Sequence, residues 1–366
     1  MRAMWFLILL VVPSVTAQPR LPFGEDGWRT DWGRSSIAFS ELEVNVPRGA
    51  IPAVDSPRFI SASAAGEWLA DGEPVIQIRL GAEARAYPLQ ILTWHEIVND
   101  EIEGRAITVT FCPLCYSAIA FFRTVDGEAL DFAVSGMLRH SDLVMYDRQT
   151  HSLWQQLTGE ALVGAMTGRV LDRVPAQIVS FAEFRGAFPE GVVLSRDTGH
   201  RRDYGKNPYV GYDDVEQRPW LFKGAVDDRL PPMEKVVGVE IGSRSRAYAH
   251  DITRSRRVIN DELAGEPLVV FHTADGARSA LDDERIAQSR VIGSTGVFSR
   301  RLGDRVLTFR PAGDEFEDLE TRTRWNIAGR GVSGPLAGSE LTPLTHADVF
   351  AFAWFVMKPE TDLFRL

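Results

Sequence analysis

Sulfur is scarce in this chain: its 366 residues include two cysteines and seven methionines. That scarcity excludes a disulfide-stapled scaffold and confines any thiol chemistry to one place. Basic charge is in deficit too, with 40 Lys and Arg against 50 Asp and Glu, a formal net charge of −10. This balance argues against a nucleic-acid binder, because phosphate recognition needs a concentrated basic face. The run Arg254-Ser255-Arg256-Arg257 is followed by Asp261 and Glu262 and reads as a solvated surface. No apolar run reaches the roughly 20 residues that a transmembrane helix needs. The chain also lacks a P-loop, a Gly-rich dinucleotide fingerprint, a zinc-protease helix and a nucleophile elbow.

What is present is ordinary globular material, 45% hydrophobic and 25% charged, long enough for two domains. Residues 1–17 read as a signal peptide. Arg2 supplies the positive start, Trp5 to Val12 the apolar stretch, and Val15-Thr16-Ala17 a cleavage site ahead of Gln18. No cysteine stands there to take a lipid, and the mature chain is expected to have no membrane span. The expectation is a periplasmic or secreted protein beginning at Gln18, in an oxidising compartment.

Both cysteines lie in one motif, Cys112-Pro113-Leu114-Cys115. A disulfide closing so short a loop removes little entropy from the unfolded chain, so a staple is a poor use for it. Thiols at this spacing open and close a disulfide reversibly or grip one soft metal ion together. A buried or idly oxidised pair is the bland alternative.

The chain repeats itself. Ile76 to Tyr87 matches Val237 to Tyr248 without a gap, Ile97 to Ile102 matches Val258 to Leu263, Phe121 to Phe132 matches Phe298 to Phe309, and Trp154 matches Trp325. So long a period suits a tandem domain duplication rather than a solenoid. The expected organisation is a signal peptide (1–17), an N-terminal extension (18–59), a CPLC-bearing domain (60–215) and a degenerate second copy (216–366). The second copy has an insertion near residues 273–296 and no cysteine, and is read as a structural partner.

Periodicity places strands at Val75 to Leu80, Ala84 to Tyr87, Ala106 to Phe111 and Ser117 to Val125, with a short helix from Leu89 to Val98. Asp126-Gly127 marks a hairpin, with Glu128 to Val134 returning. The fold class is α+β with mainly antiparallel sheets, as two tandem duplicated domains. The CxxC falls in a strand-to-strand connection, like the knuckles of zinc ribbons, not at a helix start as in thioredoxin-like enzymes. A second knuckle is missing, so other side chains must complete any metal site.

His95, on the helix with Trp94 and Glu96, is the first candidate. The stretch Val134 to His151 adds Met137, His140, Met145, Tyr146 and His151. Thioether, imidazole and thiolate together favour copper, especially Cu(I), although methionines commonly fill core gaps. Asp142 and Asp147 read as turn or ion-pair residues. Tyr204-Gly-Lys-Asn-Pro-Tyr-Val-Gly-Tyr212 has the composition of a functional loop, and Tyr204 and Tyr209 join the pocket candidates, with a plain linker as the alternative.

Trp94-His-Glu-Ile-Val-Asn-Asp100, Val109-Thr-Phe-Cys-Pro-Leu-Cys115, Val134-Ser-Gly-Met-Leu138, Leu143-Val-Met-Tyr-Asp-Arg148, Ser152-Leu-Trp154 and Asn207-Pro-Tyr209 resemble the exported bacterial family DUF3179. The resemblance runs from about residue 60 to 215. It implies a recurring exported unit with a CPLC motif; the family has no known function and supplies no catalytic residue.

Three readings follow. The leading one is a soft-metal site, copper favoured, of Cys112 and Cys115 completed by His95 or Met145, for metal handling or redox chemistry. The second is a metal-free dithiol-disulfide oxidoreductase. The third is a binding module for a small molecule or a periplasmic protein, in which a CPLC disulfide shapes a pocket lined by Trp94 and Tyr209.

Overall fold

The computed structural model describes residues 27–365; the expected signal peptide and its cleavage point lie outside them. Antiparallel sheets dominate, and no α-helix among the described residues exceeds seven residues. Parallel pairing occurs where Val192–Leu194 joins Glu83–Pro88 and where Asp362–Leu363 joins Arg244–Ala249. The class is α+β.

Strand Pro74–Leu80 pairs with Glu83–Pro88 on one side and Ala176–Ser180 on the other. Its apolar residues Val75, Ile76 and Ile78 point to both faces and are all buried, as a strand covered on both sides requires. Ile97–Ile102, Arg105–Cys112 and Ser117–Phe122 follow as an antiparallel ribbon. Phe132–Arg139, Asp142–Asp147, Leu153–Gln155 and Ala161–Val163 form the next meander.

In the second half, Lys235–Ile241 lies between Arg244–Ala249 and His346–Phe350. Val258–Leu263, Glu266–Thr273 and Ser294–Ser299 then form a ribbon, and Phe309–Ala312, Glu315–Asp318, Arg324–Trp325 and Gly331–Ser333 a meander. The strand order within each sheet thus runs alike in the two halves. So does a buried hydrogen bond: Trp154 Nε1 donates to Asp147 Oδ2 at 2.9 Å, and Trp325 Nε1 to Asp318 Oδ2 at 2.9 Å. The expected insertion is the connection between Glu266–Thr273 and Ser294–Ser299, where the first half carries its CPLC turn. It packs on that turn, with Ala280 N donating to Tyr116 Oη at 3.2 Å.

Two core clusters draw on both halves. The largest unites Ile76, Cys112 and Cys115 with Val236, Phe350 and Trp354, and another unites Val75 and Phe181 with Phe271 and Trp325. A backbone hydrogen bond from Phe350 N to Cys115 O, 2.9 Å long, ties the second half to the CPLC turn itself. The described part of the N-terminal extension wraps the first meander: Glu43–Val44 pairs with Leu138 and Met137.

The helix expected from Leu89 to Val98 spans Leu89–His95. It ends because Glu96 turns left-handed (φ 58°), its N–H capping Leu92 O, and the β-branched Ile97 and Val98 pair with Thr110 and Val109. Sheet pairing across the ribbon overrides the helical spacing of those two residues.

Candidate metal centre

Arg105–Cys112 and Ser117–Phe122 are consecutive strands, and Cys112 stands opposite Ser117 at the open end of their ladder. The turn between them is tight. Cys115 N bonds to Cys112 O at 3.2 Å and Tyr116 N to Pro113 O at 3.3 Å. Tyr116 takes a left-handed φ of 55°, and its ring is anchored by Phe111, Phe350 and the Lys235 ammonium, which lies 4.3 Å from the ring centre. The turn therefore presents both sulfurs to one place. Both are free thiols and buried.

A second turn meets them from the neighbouring meander. His140 and Ser141 have φ of 54° and 66°, which reverses the chain between Phe132–Arg139 and Asp142–Asp147. Ser141 O accepts from Cys115 Sγ at 3.5 Å and stands 4.0 Å from Cys112 Sγ. Asp142 is wholly buried, and a carboxylate oxygen of it lies with the two sulfurs in a set whose members are all within 4.8 Å of one another. Its Oδ2 accepts from Gln155 Nε2 at 2.6 Å and Leu157 N at 3.0 Å. Its Oδ1 has no partner of ordinary hydrogen-bond geometry among the described residues; the two thiols lie against the carboxyl group and favour its charged form only weakly against burial. A buried carboxylate oxygen left unpaired costs free energy, of order 1–3 kcal/mol or more, unless a cation or proton meets it.

Burial governs the electrostatics. It pushes the Cys112 thiol up and the Cys115 thiol well up, with Asp142 adding to both. Asp142 is raised to about 6, burial outweighing its hydrogen bonds. Glu96 is raised to about 8 by burial and by the nearby Asp142. Four acids thus share a desolvated spot, where burial favours the protonated form of each over the ionised one.

Glu96 and Cys112 open into a cavity of about 230 Å³. Its walls are largely apolar, including Val134, Leu138 and Leu143, with Tyr209 as a second polar group and Trp220 and Leu221 at its edge. Burial and the proximity of Glu96 and Cys112 keep the Tyr209 hydroxyl protonated. The segment after Tyr204 packs against the CPLC turn: Tyr212 Oη donates to Leu114 O at 3.0 Å and accepts from Trp220 N at 3.2 Å, while its ring packs on Trp220 at 4.4 Å.

The other candidates lie elsewhere. His95 is buried, but both its ring nitrogens are engaged, Nδ1 with Pro52 O at 2.7 Å and Nε2 with Tyr204 Oη at 2.6 Å. The cluster of close donors has Asp142 where His95 was expected, because the helix ends at His95 and its left-handed cap, Glu96, lines the thiol cavity in its place. Tyr204 is the partner that holds His95. Met145 is buried in the main core opposite Val134 and Trp154; three residues along the strand from Asp142, it sits on the opposite pleat face. His140 is 3.7 Å from Glu41 Oε2. His151 accepts from Arg29 N at 3.0 Å and packs edge-on with Trp28 and Tyr146, so His151 and Tyr146 fasten the N-terminal extension. Trp94 Nε1 donates to Lys206 O at 3.2 Å. The residue missed in the sequence is Asp142, read there as a turn or ion-pair residue; it is a buried acid facing two thiols.

His95 yields a stability prediction. Burial lowers its pKa from 6.5 to about 4, so the unfolded chain binds more protons between those values. Stability is complete above pH 6.5 and falls as pH drops toward 4, by up to about 1.4 kcal/mol per pH unit from this group. Urea unfolding at pH 7 and pH 5 should show that loss, and a His95→Asn variant should show a shallower one. An equal slope in the variant would contradict the assignment.

No curated protein and no solved structure matches the chain. A family model described as "Protein of unknown function (DUF3179)" matches residues 48–361, most of the chain and both of its halves; the chain belongs to the DUF3179 family.

Proposed function

We propose that Cys112, Cys115 and Asp142 hold one metal ion, and that the ion faces the cavity lined by Glu96 and Tyr209. The observation that carries this reading is the meeting of two thiols and a carboxylate oxygen within 4.8 Å in a buried place, with an unpaired oxygen on that carboxylate. Three protein donors beside a cavity resemble catalytic zinc sites, which keep one position open. The metal favoured is zinc. Imidazole and thioether donors would favour copper, but His95 is committed to Pro52 and Tyr204 and the third donor is a carboxylate, which zinc accepts readily. Cu(I) held by the two thiolates is the second reading, since the thiols alone suffice for it.

A metal-free dithiol-disulfide exchange is less well supported, because burial raises both thiols, whereas exchange catalysts depress them. Tandem duplication is supported by the shared strand order and by the Trp154–Asp147 and Trp325–Asp318 bonds. Export is proposed from residues 1–17. Sequencing the N-terminus of the exported protein should return Gln18; recovery of Met1 would overturn the export reading.

Metal analysis of anaerobically purified protein, with competition between zinc and Cu(I), tests the main reading. About one ion per chain is expected, zinc being retained in the presence of excess magnesium. Protein that binds neither metal, with both thiols titratable, would overturn it.

A further inference from the structure

The second half carries its own polar site. Five positions that are buried and apolar in the first half (Leu89, Leu92, Phe111, Ala118 and Ile178) have counterparts of the same strand and helix register in His250, Thr253, His272, Thr295 and Asp348. The framework is satisfied by apolar side chains there, so its packing does not call for the polar set.

The five are wired together. Asp348 Oδ1 accepts from Thr295 Oγ1 at 2.6 Å and meets His250 Nε2 at 3.0 Å. Thr253 Oγ1 meets His272 Nδ1 at 2.9 Å, and the two imidazoles lie 5.5 Å apart. In the neutral imidazole with Nε2–H directed to the carboxylate, Nδ1 is the atom left to accept a hydrogen bond. That atom is buried and has no partner among the described residues, in a side chain only 6% exposed.

His250 lines a polar cavity of about 390 Å³ shared with Lys235, Arg254, Arg290, Asp213 and Glu234. Lys235 and Arg290 are already paired with Asp213, at 2.7 and 3.0 Å. Arg254 is exposed and makes no ion pair among the described residues. It stands four residues after His250, on the same helix face and about 5–6 Å away by helical spacing. A ligand suited to this pair brings a hydrogen-bond donor to Nδ1 and a negative group to Arg254, a short distance apart.

We propose that this cavity binds a small carboxylic acid bearing a hydroxyl or amino group next to the carboxylate. The carboxylate pairs with Arg254 and the hydroxyl or ammonium donates to His250 Nδ1. Glu234 at the same wall favours the amino form, so glycine should bind more tightly than glycolate. The proposal rests on none of the thiol chemistry.

Calorimetry and thermal unfolding of the whole mature chain with glycine, glycolate, L-lactate and acetate test it. Glycine or glycolate should bind and raise the unfolding midpoint. Acetate, lacking the donor, should bind at least about tenfold more weakly. Arg254→Ala, at an exposed position, should weaken binding at least about tenfold with the ligand-free midpoint unchanged. His250→Leu, which restores the first half's residue, should abolish the preference over acetate; should that variant not fold, Arg254→Ala carries the test. Failure of all four probes to bind at millimolar concentration, equal binding of acetate, or an Arg254→Ala variant that binds as well as the parent would each overturn the proposal.

Discussion

Replacing Cys112 and Cys115 together with serine is expected to reduce bound metal from about one ion per chain to none, while the protein stays folded. The thiols supply two of the three donors, and an alkoxide of serine does not form at neutral pH, so Asp142 is left to hold the ion alone. A single carboxylate does not retain a zinc-like ion against solvent. The fold survives because the turn is fixed by its own backbone bonds, from Cys115 N to Cys112 O and Tyr116 N to Pro113 O, and by the ring of Tyr116. At position 115 the hydroxyl stays near Ser141 O, which is 3.5 Å from the native sulfur, while at position 112 that carbonyl is 4.0 Å from the sulfur; the two replacements should cost about 1–3 kcal/mol apiece. Asp142→Asn should weaken binding without abolishing it, since both sulfurs remain. Full metal stoichiometry in the folded double serine variant would remove the thiols from the site.

Gly136→Ala should destabilise the protein by about 3 kcal/mol or more and expose the thiols to alkylating reagents. Gly136 has φ of +82°, and an added Cβ would run into the Val46 carbonyl. That carbonyl belongs to the N-terminal extension where it crosses the cavity: Asn45 N and Val46 N both donate to Gly136 O, at 2.9 and 3.2 Å. Only glycine permits both the left-handed backbone and the close approach. The residue lies in the register shift between Val134 and Met137, a bulge that turns the strand beside the thiol cavity. The alanine variant must lift the extension from the cavity wall or strain the bulge. Alkylation kinetics of Cys112, which lines the cavity, beside urea unfolding, measure both effects. Unchanged stability with unchanged labelling would show that the extension does not seal the site.

The local pattern of the chain was largely legible. The strands around Gly81-Ala82-Glu83 and the turn at Asp126-Gly127 follow from alternation and turn chemistry, and the latter joins Thr124–Val125 to Glu128–Ala129. The CxxC was correctly set between antiparallel strands, and Glu96 and Tyr209, read as pocket candidates, do line the thiol cavity. What escaped depended on packing between distant segments. Asp142 heads a strand of apolar residues, Asp-Leu-Val-Met-Tyr-Asp, and nothing in that string tells whether the acid faces water or the thiols of Cys112 and Cys115. The Ser141 turn decides it. His95 looked like a ligand because it precedes the thiol strand, but one left-handed residue, Glu96, separates the helix face from the cavity face. In the second half, the matched framework drew attention to the missing cysteines and away from His250, His272 and Asp348, whose convergence requires the sheet register.

X-ray absorption at the zinc edge of the metal-loaded protein tests the centre most directly. The account predicts two sulfur scatterers at about 2.3 Å with oxygen at about 2.0–2.2 Å, and loss of the sulfur shell in the double serine variant. A shell of nitrogen and oxygen alone, with no sulfur, would contradict it.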